Sequence, residues 1–505
     1  MRLNRLEVLT KQEIQEIHNS TIKLLETVGV IVETPEARDV LEKHGATIEQ
    51  VKNDYFVKFP EELITEQLNL VPSSFSLYGP DGSFNFEVTT KNVHFATFGA
   101  AVNIYDPSKR KKIRKTKLKD AIDHIRVING LQHISCSHVD VWPHDIPFTE
   151  LHYHTLREWG RHSYKPYGMG CYGRTASEDM INIASILVGG EEELINRPRL
   201  IGVFNPTSPL VLPHILLNGL LIFAKYHQPI NISAAASAGS TAPVTLAGTL
   251  TQGNMEVLSA IVLTQLINPG APVFYASTNT IMDPLTGNIA YGSMEMGLIT
   301  IAAAQLAHFY NIPSKGSGAL TDSKCFDIQN GFERFMGLFC AVNAGHNYIT
   351  CAGTYESSLS ETLELLVIDD ELAGIVKRGM EGISVNEGSI AFDEIKKAAM
   401  SKKNYLGTKH SVKNTRKEIY VPKLVDRNRR GPWLKDGAKD MMVRAREKVN
   451  EILQTQKGPG LSSDVEAKLE SYFKIIASRS LDDYRKLEGM DKSGDGVDIG
   501  GFKIE

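Results

Sequence analysis

Short runs of apolar and β-branched residues recur along the middle of the chain, and longer amphipathic stretches separate them. Each run is typical of a buried strand, and each longer stretch is typical of a helix. The strand-like runs lie at residues 133–141, 167–172, 200–204, 230–236, 273–277, 312–316 and 348–352. Their spacing of roughly 30 to 40 residues predicts repeated strand–helix units. Seven such strands, with one more from the region before them, are enough for a closed (β/α)8 barrel, the TIM-barrel fold.

A doubly wound open sheet is the alternative fold for the same alternation. That fold commonly carries a G-x-G-x-x-G motif after its first strand, and no such motif follows the first predicted strand here. The ends of the predicted strands also resemble one another in composition. Both observations favour the barrel.

The two flanks of this alternation have different patterns. Residues 1–70 have helical periodicity, and residues 75–102 alternate between Gly and Asp turns in a way that predicts β-hairpins. We therefore expect a helical and hairpin appendage at 1–119 and the main part of the barrel at 120–372. A helical and loop extension is expected at 373–505.

The composition of the 505 residues is that of an ordinary globular protein, with 42% hydrophobic and 23% charged residues. A net charge of −4 does not indicate nucleic acid or a membrane surface as a partner. The five cysteines form no C-x-x-C pair, and the first residues include no apolar run of the kind a signal peptide requires. We expect a cytoplasmic protein with reduced thiols, no membrane span and a tendency to form homo-oligomers.

The stretch 347–361 carries the clearest functional signal. A short strand there runs into Gly353, Thr354, Tyr355 and Glu356, and α/β barrels place their chemistry at such strand ends. An ordinary strand-to-helix loop would have a similar sequence. However, small, hydroxyl and amide residues recur after the other strands, at 171–174, 205–208, 237–241, 277–279 and 317–318. The pattern predicts an open mouth lined by dipoles, which suits a small polar substrate.

Metal binding has little support in the sequence. His152 and His154 are the one close histidine pair, and no thiol or carboxylate completes a zinc set at the usual spacing. We expect no bound metal. Residues 109–119 hold eight basic side chains in eleven without interleaved aromatic residues, which indicates a solvated face or a docking site for an acidic protein rather than for nucleic acid.

Several ordered segments resemble the trimethylamine methyltransferase family, in its branch that lacks pyrrolysine. The similarity covers roughly residues 10 to 455. The resembling segments include FGAAVNIYDPSKRKKIRKTKLK at 98–119, WPHDIPFT at 142–149, NPTSPL at 205–210, APVTLAGTLTQGNME at 242–256, NPGAPV at 268–273 and TDSKCFDIQNGFE at 321–333.

The resemblance implies a TIM barrel that moves a methyl group from a methylated amine to Co(I) of a separate corrinoid protein. No cofactor would then be tightly bound by this chain. The archaeal trimethylamine enzymes insert pyrrolysine near the segment that resembles 321–331, where this chain has only standard residues and Cys325 stands out. Relatives without pyrrolysine act on quaternary amines such as glycine betaine, proline betaine or carnitine. Glycine betaine is therefore the expected methyl donor.

A quaternary ammonium has no N–H to donate, so aromatic faces and carboxylates are the groups that can hold it. We expect Phe95, Phe98, Tyr275 and Tyr355 to contact the substrate. Glu356 and Gln329 are the candidate catalytic residues. Asn205 and His346 are candidates for binding a substrate carboxylate.

Two alternatives stay open at the level of sequence. One is another barrel enzyme, such as a lyase that forms a Schiff base, for which Lys315 near a strand end is the candidate lysine. The other is an amine-binding or corrinoid-docking protein without turnover.

Overall fold

The computed structural model describes residues 5–99, 101–107 and 112–490, and the backbone of two strands within 497–504. The first part of the chain mixes helices and strands. Its elements are α1 Lys11–Thr27, β1 Val30–Val32, α2 Pro35–Lys43, β2 Thr47–Val51, β3 Asp54–Lys58, α3 Glu61–Leu68, β4 Ser74–Tyr78, β5 Asn85–Thr89 and β6 His94–Ala96.

Three strands within residues 1–70 correct the expectation that this stretch is helical. Helices α1, α2 and α3 are present, but β1, β2 and β3 lie between them. Strand β2 is almost wholly exposed, so its sequence lacks the alternation of apolar and polar residues that signals a half-buried strand. Of the hairpins predicted at 75–102, the first is confirmed by the antiparallel pair β4 and β5. The second is wrong, because β6 pairs in parallel with two strands of the barrel.

The middle of the chain alternates strands and helices in the predicted way. Its elements are α4 Leu118–Gly130, β9 Ile134–His138, α5 Leu151–His162, β10 Tyr167–Gly170, α6 Arg174–Val188, α7 Glu191–Asn196, β11 Leu200–Phe204, β12 Val211–Leu212, α8 His214–Lys225, β13 Ile230–Ala234, β14 Ser237–Ala238, α9 Leu246–Ile267, β15 Val273–Ser277, β16 Thr280–Met282, β17 Ile289–Ala290, α10 Met294–Phe309, β18 Ser314–Ser317, α11 Ile328–Ala344, β19 Tyr348–Thr350, β20 Thr354–Tyr355, β21 Ser360–Glu361 and α12 Leu363–Glu381. Before α4 lie two further strands, β7 Asn103–Tyr105 and β8 Ile113–Lys115.

Eight of these strands form a closed parallel barrel in the order β6, β9, β10, β11, β13, β15, β18 and β19, with β19 pairing back to β6. Each strand leads to a helix of the outer layer, so the (β/α)8 prediction is confirmed. Strand β6 supplies the eighth strand from the region before residue 120. The division at 119 and 372 itself stays a prediction.

The hairpin of β4 and β5 packs against one end of the barrel. Leu77, Phe86 and Val88 form an apolar cluster with inward side chains of the barrel, among them Phe274 and Tyr348. The rings of Phe274 and Tyr348 stack with centroids 4.9 Å apart. This cluster fills the amino end of the barrel and leaves its carboxyl end for polar groups.

The N-terminal helices extend the core on one side of the barrel. Helices α1, α2 and α3 contact α9, and β1 pairs with β12 from the loop after β11. Buried residues of this appendage, such as Leu25 and Ile64, belong to the same apolar cluster as the barrel helices. The appendage therefore packs on the α9 side of the barrel, and β1 joins it to the loop after β11.

The C-terminal extension is mostly helical and wraps back along the barrel. Its elements are α13 Glu387–Ile390, α14 Phe392–Ser401, α15 Lys409–Glu418, α16 Arg430–Lys435, α17 Met441–Thr455, α18 Ser463–Ala477, α19 Leu481–Leu487, β22 Val497–Ile499 and β23 Phe502–Ile504. Helix α17 contacts α12 and α4, and α18 contacts α6. Glu488, directly after α19, accepts hydrogen bonds from Arg174 N and Thr175 N at the start of α6, at 2.9 and 2.8 Å. A carboxylate is stabilised at this position because the first N–H groups of a helix have no partner within the helix.

None of the described helices combines the length and the apolar character that crossing a bilayer requires.

Candidate functional site

The interior of the barrel changes from apolar to polar toward the carboxyl ends of the strands. Above the Phe274–Tyr348 stack, the Tyr348 hydroxyl lies 2.8 Å from Nε2 of His138, which is on β9. Lys315 on β18 pairs in register with Tyr348, so its side chain lies on the same, inward face. The polar groups therefore lie where the barrel opens.

Lys315 is the centre of a polar network at this opening. Its Nζ donates to Thr278 Oγ1 at 2.9 Å and to Ser317 Oγ at 3.0 Å. The Ser233 hydroxyl lies 2.9 Å from Thr278 Oγ1, and Asn205 Nδ2 donates to the Ser233 carbonyl at 2.9 Å. Burial lowers the pKa of Lys315 because the ammonium has lost its water shell.

Phe98 provides the aromatic surface of the mouth. Its ring centroid lies 5.4 Å from Lys315 Nζ, and its ring meets that of His138 edge-on at 5.5 Å. Phe98 follows β6 and packs beside Leu320 and Cys351, which follow β18 and β19. Three strand ends therefore converge on this ring.

A buried acid–histidine–acid cluster lies behind the mouth. His124 on α4 places Nε2 at 3.3 Å from Asp140 Oδ2 and at 2.9 Å from Glu361 Oε1. Burial raises the pKa of Asp140 to about 7. Burial alone would lower the pKa of His124, but the two carboxylates outweigh it and raise that pKa. No local signal in the sequence identified His124 or Glu361 as members of this cluster.

The loop after β19 is held by a buried ion pair. Arg334 on α11 donates through Nε to Asp369 on α12 at 3.0 Å, and a second bond joins the same guanidinium and carboxylate. Asp369 also accepts from the N–H of Gly353 at 2.7 Å, and Arg334 donates to the carbonyl of Thr354. Both charged side chains are buried. The pair therefore fixes the start of the loop that the sequence singled out.

The same loop is joined to the one after β18. Glu356, Ser357 and Ser358 have left-handed backbone conformations, with φ of 54°, 52° and 72°. Glu356 N donates to the Ser323 carbonyl at 3.1 Å, and the Ser357 hydroxyl donates to Asp322 Oδ1 at 2.7 Å. Three successive non-glycine residues with left-handed φ angles raise the conformational free energy of the loop. Such backbone strain is found where surrounding contacts hold a functional loop in place.

Three of the four predicted aromatic contacts are corrected by the structure. Phe95 and Tyr355 pack in the apolar cluster between the barrel and helices α4, α11 and α12. Tyr275 points toward α9, where its hydroxyl donates to Asn254 Oδ1 at 2.9 Å. Successive side chains of a strand point to opposite faces, and the residues beside Phe95 and Tyr275 are the ones that face inward. Only Phe98 of the four lies at the mouth.

The two candidates for binding a substrate carboxylate, Asn205 and His346, lie at opposite ends of the barrel. Asn205 lies at the mouth beside Ser233, as expected for a residue after β11. His346 precedes β19 and lies at the opposite end of the strands, which corrects its assignment as a carboxylate ligand. Its Nε2 donates to the Thr300 carbonyl at 2.9 Å, and burial lowers its pKa to about 3.

The two candidate catalytic residues lie on neighbouring loops. Glu356 is half-buried and accepts a hydrogen bond from Ser360 Oγ at 2.7 Å. Gln329 is exposed at the start of α11 and donates to Glu333 Oε1 at 2.8 Å. Glu333 in turn accepts from Thr321 Oγ1 at 2.6 Å, so Gln329 contacts the rim through this carboxylate.

The histidines considered for metal binding have other partners. His152 lies 3.1 Å from Asp179, and His154 lies 3.3 Å from Glu150. Over the ranges 5–99, 101–107 and 112–490, no group of three His, Cys, Asp or Glu side chains could hold a metal ion. The absence of a metal from the whole chain stays a prediction.

Comparison with known proteins identifies the family. The family model described as trimethylamine methyltransferase (MTTB) matches residues 1–480. The chain belongs to the trimethylamine methyltransferase family. The resemblance read from the sequence segments is thereby confirmed.

Individual relatives have similar levels of identity. A glycine betaine methyltransferase of Desulfitobacterium hafniense is 33% identical over 472 residues, which cover 93% of this chain and 97% of that protein. The trimethylamine methyltransferase MttB2 of Methanosarcina mazei is also 33% identical, over 91% of this chain and 93% of its own length. The solved monomethylamine methyltransferase of Methanosarcina barkeri aligns over 89% of both chains, with 12% identity and a TM-score of 0.47.

Replacing Asp369 by Ala is expected to lower the free energy of unfolding by about 3–5 kcal/mol, because it leaves the buried Arg334 guanidinium without its counter-ion. Chemical denaturation of the variant measures this loss. The matched control is Asp464→Ala, which breaks an exposed pair with Lys468 and should cost less than about 1 kcal/mol. Equal losses in the two variants would contradict a special role for the buried pair.

The raised pKa of Asp140 predicts a pH-dependent stability. Between its unfolded value of 3.8 and its folded value of about 7, the folded state holds more protons, so the free energy of unfolding falls as pH rises. The raised pKa of His124 acts in the same direction above pH 6.5. Asp140→Asn should remove a change on the order of 4 kcal/mol across pH 4 to 7.

Urea unfolding at a series of pH values tests this expectation. Asp145→Asn is the control, because Asp145 follows the same strand but is exposed. Parallel pH profiles for wild type and Asp140→Asn would show that Asp140 does not carry the titration.

Proposed function

We propose that this protein transfers a methyl group from a quaternary amine, with glycine betaine as the first candidate, to Co(I) of a separate corrinoid protein. The observation that carries the proposal is the 33% identity to a glycine betaine methyltransferase over 97% of that protein's length. The segment 321–331 distinguishes it from the trimethylamine enzymes that insert pyrrolysine, because every residue there is a standard one.

The geometry of the mouth supports such a reaction. A quaternary nitrogen already carries its positive charge, so the C–N bond can break with the electron pair left on nitrogen and without protonation of the leaving amine. The methyl acceptor supplies the electron pair for the new bond. What remains for the barrel is to hold the donor in line with the acceptor and to limit access of water. The hydroxyls, the amide of Asn205 and the ring of Phe98 are groups that can position a substrate.

The loops after β18 and β19 are the proposed frame of the active site. Glu356 and Asp322 are half-buried carboxylates on these loops and can face a cationic methyl donor. In the proposed reaction Gln329 acts through Glu333, to which it donates a hydrogen bond. The corrinoid protein would approach the carboxyl end of the barrel, since the β4–β5 hairpin fills the other end.

The basic run at 109–119 is a second feature relevant to a partner. Its residues 109–111 lie outside the described residues. Arg114 and Lys119 pair with Asp120 and Asp123 of the same chain. These pairs reduce the charge available for docking, and we place the main corrinoid contact at the mouth instead.

Methyl transfer can be measured with free cob(I)alamin and a panel of glycine betaine, proline betaine, carnitine and trimethylamine. We expect the absorbance change of cobalt methylation with a quaternary amine and little or none with trimethylamine. Heat-inactivated protein is the blank. Absence of a signal with every quaternary amine would contradict the proposed donor class.

The same samples separate the two alternatives. A lyase that forms a Schiff base on Lys315 would be trapped covalently by borohydride in the presence of its substrate. A protein that only binds amines would show heat of binding without methylation of cobalt. Family membership counts against both alternatives, since the named relatives are methyltransferases.

We further propose that the chain forms homo-oligomers through α11. Ile328, Phe332, Phe335 and Phe339 are 86%, 55%, 41% and 45% exposed, and their spacing places them on one face of the helix. The two charged residues of α11, Glu333 and Arg334, are both buried, so this face carries no charge.

A second copy of the chain is the occupant that suits this face. With about 150–250 Å² for each ring, the three phenylalanines expose on the order of 280 Å², about a third of the roughly 800 Å² that each partner contributes to a standard interface. The stripe runs down the outside of the barrel, from the rim at Ile328 toward the amino end of the strands. An uncharged apolar stripe can pack on its own symmetry mate about a two-fold axis.

Light scattering during size-exclusion chromatography tests this interface. Phe335→Glu should lower the molar mass of the wild-type oligomer to that of the 55.8 kDa monomer, because it buries a charge at the centre of the contact. Val412→Glu, at an exposed apolar residue of α15, should leave the mass unchanged. A monomeric wild type would contradict the proposal.

We also propose a cytoplasmic location. All five cysteines are free, and four of them are buried. Buried free thiols are consistent with a reducing compartment.

A further inference from the structure

We propose that Lys315 binds the carboxylate of a zwitterionic substrate and thereby selects carboxylate-bearing betaines over amines that have no anionic group. The inference rests on the proposed function, since it concerns the same mouth of the barrel. It adds a specificity-determining residue that the sequence pattern suggested only as a Schiff-base lysine.

Lys315 is a fully buried basic side chain without an acidic partner. Its side chain is 0% exposed, and the contacts described for Nζ are the hydroxyls of Thr278 and Ser317. Across residues 5–99, 101–107 and 112–490, no carboxylate lies within ion-pair distance of it. Arg334, another buried basic group, is paired with Asp369. The buried ammonium of Lys165 is satisfied differently, since it donates to three backbone carbonyls. Lys315 has hydroxyl partners for two of its N–H groups, and an anionic ligand can supply the third acceptor.

The groups around Nζ can complete an anion site. An ammonium has three N–H donors, and two of them are directed to Thr278 and Ser317. Thr278 Oγ1 also lies 2.9 Å from Ser233 Oγ and 3.3 Å from Ser317 Oγ, so these hydroxyls bond to one another. The third N–H of Lys315 is therefore the donor that a substrate carboxylate at the mouth would use.

The position of Lys315 also gives the substrate a direction. The Phe98 ring lies 5.4 Å from Nζ, toward the carboxyl end of the barrel. With the carboxylate held inside, the trimethylammonium group would point outward, past Phe98 and toward the half-buried carboxylates of Asp322 and Glu356. The methyl groups would then face the end where the acceptor arrives.

A simple cation would bind the same site less tightly than a betaine. Trimethylammonium and tetramethylammonium carry no anionic group, so they would meet the ammonium of Lys315 without compensation. Burial lowers the pKa of Lys315, and a bound carboxylate favours its charged form. The charge is therefore most stable when the substrate is present.

Calorimetric titration of the full-length protein tests the anchor with two probes, glycine betaine and tetramethylammonium. We expect Lys315→Met to weaken betaine binding by at least about tenfold, because a charge-assisted contact is lost, and to change tetramethylammonium binding by less than about threefold. Lys225→Met, at an exposed lysine at the end of α8, is the matched control and should bind both probes as wild type does.

Thr278→Val supplies a second variant in case Lys315→Met does not fold. It removes one hydroxyl of the site without changing the charge, and we expect a loss of betaine affinity of roughly threefold to tenfold. Unchanged betaine affinity in a folded Lys315→Met protein would overturn the anchor. Equal affinity of the wild type for the two probes would overturn it as well.

The cobalt assay distinguishes failure of the anchor from failure of the proposed function. Lys315-dependent binding of betaine without methylation of cob(I)alamin would refute the methyl transfer and leave the anchor in place. Methylation from tetramethylammonium but not from betaine would refute the anchor and leave the methyl transfer in place.

Discussion

Closure of eight parallel strands into one barrel is the constraint on which the rest of the structure depends. Because β19 pairs back to β6, the carboxyl ends of all eight strands meet at one rim. Residues as distant in sequence as Phe98, Asn205 and Lys315 are neighbours only because of this closure. The β4–β5 hairpin fills the opposite end with apolar side chains, so polar chemistry is confined to the rim.

Buried charges are distributed around this rim in three different ways. Arg334 and Asp369 neutralise each other and hold the loop at Gly353. His124 balances Asp140 and Glu361, and burial leaves Asp140 with a pKa near neutrality. Among the described residues, the hydrogen bonds of Lys315 Nζ go to hydroxyls. The first two groups have partners of opposite charge within the protein, and the proposed partner of the third is the carboxylate of the substrate.

The residues at the mouth differ from the aromatic cage that the sequence predicted for a methylated amine. An aromatic cage was expected from the sequence, and the structure leaves only Phe98 of its four members at the mouth. The remaining recognition elements are hydroxyls, an amide, rim carboxylates and one lysine. Such a set is suited to a substrate with both a positive and a negative end, and the betaines proposed as methyl donors have both.

The sequence by itself predicted repeated strand–helix units, because short apolar runs alternate with longer helical stretches at a regular period. It favoured the closed barrel over an open sheet through the similar composition of the strand ends. It also determined the family, through many ordered segments, and it located the functional loops after the strands. It missed β1 to β3. Strand β2 is polar and almost wholly exposed, and β1 is apolar but only three residues long, too short to show a strand pattern. Tertiary structure alone decided which side chains enter the site. Phe95 and Tyr275 each lie one position along the strand from a residue that faces the barrel interior. His346 precedes β19 and therefore lies at the amino end of the barrel, away from the mouth. The His124–Asp140–Glu361 cluster joins residues from three elements. Strand parity and distant contacts arise only when the barrel closes, so no local pattern could have shown them.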